Sequence, residues 1–170
     1  MAPVAMRTCP QCGAVVPDVD GPVRAYVPSA PGCWMTFGEV QADEMQRFRY
    51  PAAHRLVVDA YIAQHPGDGT DRRDRQSVFL HLVGLCAVLE HRMPADRVSD
   101  FFRRLVQRGE DFPVLRRSTG PGELTVTSLI GAVDLADYER RARAWADAVW
   151  LAWSEHHSLI RHALNPLRSQ

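Results

Sequence analysis

The residues of this chain best suited to chemistry are its four cysteines and seven histidines, and they are unevenly spaced. Cys9-Pro10-Gln11-Cys12-Gly13 sets two thiols three positions apart with a glycine behind them. That spacing lets two thiolates reach one tetrahedral ion, and the glycine permits the tight turn beneath it, as in a zinc knuckle. A closed structural site needs two further ligands. Cys33 is the natural third. His54 is the first choice for the fourth, with water as the alternative. Cys86 lies in the most apolar stretch of the chain and reads as a small hydrophobe. A redox use of the CxxC pair calls for a βαβ context with the pair opening a helix, and neither is visible.

Three helical stretches place histidine where an apolar residue is expected: His54 and His65 in one, His81 in the next, His156 and His157 in the last. Neutral imidazole is the commonest transition-metal ligand. Facing helices of a bundle can supply three such ligands and leave a position open for water, whose pKa a zinc ion lowers to about 7. His65, His81 and His157 (or His156) are therefore candidates for a second polar pocket. A lone histidine on an apolar face is more often a hydrogen-bonded core residue, so the case rests on three helices sharing the feature. His54 and His65 are about 16 Å apart along a helix axis, too far for one metal to take both. Asp59 reads as a partner of Arg55 or an acceptor behind a ligand, and Glu39 as a solvated carboxylate. Gln64 and Gln76 could orient ligands, and Trp145, Trp150 and Trp153 belong to the core.

The elements that must position these residues are helical. The periodicity predicts helices at about 33–48, 52–65, 73–91, 95–108 and 134–164, with Asp134 capping the last and Gly109 ending the fourth. On the first helix Trp34, Phe37, Gln41, Met45 and Phe48 share a face. The stretch from Val78 to Leu89 is apolar on every side and belongs at the centre of a bundle. Residues 110–126 form a long connection, with one short helical turn near Thr127. Residues 1–32 are rich in proline and glycine, with room for a short hairpin around the CxxC pair. They hold few large apolar residues and need an external constraint, which a metal would supply. The fold class is all-α: one domain, a bundle of four to five main helices (33–164) with an irregular cysteine-containing arm (1–32).

The chain has 170 residues, 46 % of them hydrophobic, with 20 basic and 20 acidic groups and no net charge. Zero net charge argues against a nucleic-acid or anionic-membrane partner. No apolar run is long enough for a transmembrane helix, and no signal peptide is visible, so a cytoplasmic location is expected. Every basic residue is arginine, which fits the coding bias of a GC-rich bacterial genome.

Taken together, CPxCG at 9–13, Asp20-Gly21-Pro22, the segment SxPGCW at 29–34, HRLxVDAYxxQHP at 54–66 and WAxxVWxxWxxHH at 145–157 are specific. A chain with these motifs resembles a bacterial family of small uncharacterised proteins, a family of unknown function. The resemblance implies that the cysteine and histidine positions belong to the family pattern, and it carries no activity. It would place Thr-His where this chain has Val23-Arg24, so any ligand there is missing. The expected function is that of a metal-binding helical protein, with Zn2+ as the first choice of ion. It would be a metal-dependent enzyme acting on a small molecule, a non-catalytic zinc-stabilised helical interaction module, or a small-ligand sensor.

Overall fold

The structure is a computed structural model that describes residues 4–168. Six helices follow a small hairpin. Strands β1 (Met6–Thr8) and β2 (Val15–Pro17) pair antiparallel, Met6 opposite Pro17 and Thr8 opposite Val15. The CxxC pair forms the tip of this hairpin. Gly13 there has φ +79°, a conformation that costs glycine little and other residues more.

Helix α1 (Pro31–Phe48) starts with proline in its first turn, where the missing N–H is not needed. Its buried face runs through Cys33, Phe37, Val40 and Glu44. The stripe read from the sequence is therefore rotated: Met45 is exposed, and a carboxylate takes a core position. Arg49 and Tyr50 then adopt left-handed backbone conformations, and Pro51 follows. The turn reverses the chain into α2 (His54–Gln64). Cys33–His65, Phe37–Tyr61 and Glu44–His54 are in contact across these two helices, and each pair is symmetric about Arg49. The two helices are thus antiparallel neighbours, as a short connection favours.

Helix α3 (Arg72–Leu89) is capped by Asp71 and is the central element, buried from Val78 to Leu89 on nearly every side. It packs on α2, on α4 (Ala95–Gln107), on α5 (Leu135–Ala152) and on α6 (His157–Arg168). Gly109, φ +67°, follows the end of α4, and Asp134 caps α5 by accepting from Asp137 N–H at 2.8 Å. A 3₁₀ turn, Val126–Leu129, ends the long connection. The single last helix expected over 134–164 is two helices, broken at Trp153 with a 3₁₀ turn, Ser154–His156, between them. The break is stabilised by its own side chains. Trp153 is buried with Nε1–H on the Ala63 carbonyl, and His157 Nε2–H donates to the Trp150 carbonyl at 2.8 Å. The same carbonyl also accepts the Trp153 backbone N–H at 3.0 Å, so two donors hold the end of α5. No described helix is long and apolar enough to cross a membrane.

Candidate metal centre

Three segments far apart in sequence meet beside the end of α2. The hairpin tip brings Cys9 and Cys12, the first turn of α1 brings Cys33, and the residue after α2 brings His65. The four ligand atoms lie within 4.8 Å of one another, and each residue is at most 1 % exposed. Cys12 Sγ is 3.7 Å from Cys33 Sγ, and His65 Nε2 is 3.6 Å from Cys9 Sγ and 3.5 Å from Cys33 Sγ. Close approach of the hairpin to α1 depends on Gly32, where a Cβ would overlap the Pro17 carbonyl oxygen.

The surroundings of the four groups suit a cation. His65 Nδ1–H donates to the Tyr61 carbonyl at 2.6 Å, which fixes the tautomer and turns the Nε2 lone pair toward the sulfurs. Each sulfur has one donor from outside the cluster: Ala30 N–H to Cys9, Ala14 N–H to Cys12 and Tyr61 Oη–H to Cys33, at 3.5–3.6 Å. Arg117 donates to the Gln11 carbonyl inside the CxxC turn, and its charge is felt at Cys12. Hydrogen bonds from the Cys12 and Cys33 thiols hold Cys9 far below the usual thiol range. Cys12 rises to about 11, because its bond to Cys33, which lowers it, is outweighed by the Cys9 sulfur and burial. Bonds to the Cys12 and Cys9 sulfurs, with burial, push Cys33 upward. A divalent ion among the four ligand atoms would replace the thiol protons. The cluster could hold a metal ion.

The other sequence-derived candidates lie elsewhere. His54, the expected fourth ligand, is at the opposite end of α2, with Nδ1–H on Glu44 Oε1 at 2.9 Å. His65 takes its place because antiparallel helices put the start of α1 beside the end of α2. His81, His157 and His156 do not converge with His65. His81 donates from Nδ1 to the buried Asp59 at 2.6 Å. His157 stacks on Trp150 with ring centroids 3.7 Å apart, and His156 Nε2–H donates to the Arg116 carbonyl at 2.7 Å. Cys86 is buried, and burial pushes its thiol up to about 12; its sulfur lies within 4.8 Å of ligand atoms of Glu90 and His91. Glu39 is exposed on α1.

Gln64 is wholly buried, and its amide donates to the Pro121 and Leu124 carbonyls at 2.8 Å each while its carbonyl accepts Trp145 Nε1–H. It pins the long connection to the core rather than orienting a metal ligand. The buried Glu44 had no sequence signal except its spacing on the face that carries Cys33 and Phe37.

These features define a helical bundle whose N-terminal arm is joined to it through a buried Cys3His cluster. The chain belongs to the family of unknown function DUF5946, whose model matches residues 7–154, a span that includes all four cluster residues. No curated protein and no solved structure matches it significantly.

Proposed function

We propose that Cys9, Cys12, Cys33 and His65 hold one structural Zn2+ that fastens the hairpin arm to the bundle, and that the protein is a zinc-stabilised helical module. The carrying observation is the size of the cluster. A tetrahedral site with Zn–S of about 2.3 Å and Zn–N of about 2.0–2.1 Å has S···S edges of about 3.8 Å and S···N edges of about 3.5–3.6 Å. The corresponding separations here are 3.7 Å and 3.5–3.6 Å. Three thiolates and one imidazole form a soft, tetrahedral donor set that selects zinc among abundant divalent ions. Four buried protein ligands leave no position for a substrate or a reactive water, which supports a structural role over a hydrolytic one. The free state of all four cysteines suits a reducing compartment, the cytoplasm.

Metal analysis of the purified chain tests this. One zinc per chain is expected, lost in Cys12→Ser and in His65→Ala and retained in His54→Gln and His81→Gln. Two metals per chain, one of them lost in His81→Gln, would restore the two-site arrangement, and retention of the single zinc in His65→Ala would overturn the proposal.

A further inference from the structure

At the far end of α2 from the cysteines, a cleft of about 500 Å³ opens between the starts of α2 and α4. Tyr50 and Val58 give it apolar wall, and His54, Arg55, Asp96 and Ser99 give it polar wall. Such a volume fits a small organic molecule.

The two central polar residues are held by groups behind them. Glu44 is buried, 1 % exposed, between His54 Nδ1–H at 2.9 Å and Tyr138 Oη–H at 2.8 Å. That carboxylate fixes the imidazole tautomer and leaves Nε2 as the acceptor; Nε2 makes no hydrogen bond with any described residue. Arg55 is clamped on three sides. Its Nε donates to Asp59 Oδ2 at 2.8 Å, Nη1 donates to Ser99 Oγ at 3.3 Å, and its guanidinium lies 4.3 Å from the Phe102 ring centroid. Its Nη2 is buried and has no partner. Asp59, wholly buried, is held on its other oxygen by His81. Gly84 makes room for that carboxylate, since a Cβ there would overlap Asp59 Oδ2.

A base with a free lone pair in a cleft whose wall also carries a fixed guanidinium is the pairing that proton abstraction needs: one takes the proton, the charge of the other offsets the negative charge that develops. The formal charges around the cleft select against anions. Glu44, Asp59 and Asp96 are acidic and Arg55 is the only cation among the lining and backing residues, so a phosphate or dicarboxylate would meet net repulsion.

We propose that this cleft binds a small neutral molecule bearing an acidic C–H, N–H or O–H next to an acceptor atom such as a carbonyl oxygen. His54 Nε2 is its general base, and the Arg55 guanidinium on the cleft wall offsets the charge on the acceptor. The proton passes to Nε2 and the bonding pair stays on the molecule, its charge spread onto the atom facing Arg55. The resulting imidazolium is paired with Glu44, a positioning residue that does not touch the molecule. This reading is independent of the zinc.

The test uses 5-nitrobenzisoxazole, a neutral probe, with the full zinc-loaded chain. Its C–H proton goes to the base, the C–H electrons form a nitrile as the N–O bond breaks, and the phenolate oxygen takes the charge. Saturable turnover is expected at more than about 10²-fold the rate of an equal concentration of imidazole. His54→Gln should remove that excess while zinc content and thermal unfolding are retained. Glu44→Gln should lower kcat and leave KM unchanged, whereas Arg55→Lys should raise KM and lower kcat. Ala95→Trp, on the exposed rim, should block turnover without touching the Glu44–His54 pair. Turnover no faster than imidazole, or unchanged in His54→Gln or in Ala95→Trp, would overturn the proposal.

Discussion

The hydroxyl of Tyr61 shows how much a single residue contributes to the cysteine cluster. Three thiolates around a divalent ion leave one net negative charge in a site that water does not reach. The three hydrogen bonds to sulfur and the nearby Arg117 offset it. Tyr61→Phe removes one of those bonds and keeps the ring stacked on Phe37. A hydrogen bond to a charged group contributes about 1.5–3 kcal/mol, so zinc should bind at least roughly tenfold more weakly, measured by competition with a chelator. Gly84→Ala tests the polar cluster on α3. Alanine favours a helix by about 1 kcal/mol, but its methyl would overlap a carboxylate fixed by Arg55 and His81. Overpacking of that kind costs about 1–3 kcal/mol and should prevail, lowering the melting temperature by a few degrees in thermal denaturation. At this scale the sequence was legible where the chemistry is local. Cys9-x-x-Cys12 carries its geometry in its spacing, and the three indoles each found a partner for N–H, as burial requires. Glu44 and Gln64 were not legible, because polar residues are usually exposed and no local pattern marks the exceptions.

The arm and the α1–α2 pair are the elements that make the site. The hairpin has three residues in each strand and exposes Val4, Met6 and Val15. A pair of strands this short is not stable alone, and metal ligation would supply what its small core lacks. Removal of zinc should therefore release the arm and leave the bundle folded. Limited trypsin digestion should then cut after Arg7 and Arg24 much faster than in the zinc-loaded chain, with far-UV circular dichroism nearly unchanged; loss of most of the helical signal would contradict this. Helix positions could be read from proline, glycine and cap residues, down to Asp134 and Gly109. The identity of the fourth ligand required a further step. A short turn centred on Arg49 implies antiparallel helices, and antiparallel helices place Cys33 beside His65 rather than His54. The break at Trp153 escaped the periodicity because a 3₁₀ turn keeps the apolar face nearly continuous across it.

Over the whole molecule, polar clips fasten the outer elements to α3. Arg75 holds the long connection through the Phe112 carbonyl and Asp111, and Arg161 holds α6 to Glu90, which also accepts from Trp150 Nε1. The bond from Arg161 depresses Glu90 to about 2, against roughly 4.3 for a free glutamate. A depressed acid stabilises the fold at pH values above its unfolded pKa and loses that contribution as pH falls through the folded one. The stability difference between the wild type and Glu90→Gln should thus be present at pH 7 and shrink between about pH 4.5 and 2, as read from denaturant midpoints. A difference that does not vary with pH would remove the ion pair from the account. The all-α class and the single central helix could be read from composition and from the uniformly apolar stretch of α3. Which polar residues meet across the bundle could not, since that depends on helix order in space.

The central claim is a closed Cys3His zinc site, and its most direct measurement is zinc K-edge absorption on the purified full-length chain. The account predicts three sulfurs at about 2.3 Å, one imidazole nitrogen at about 2.0–2.1 Å and no bound water. A shell with two sulfurs, a shell containing an oxygen, or a chain purified without zinc would contradict it.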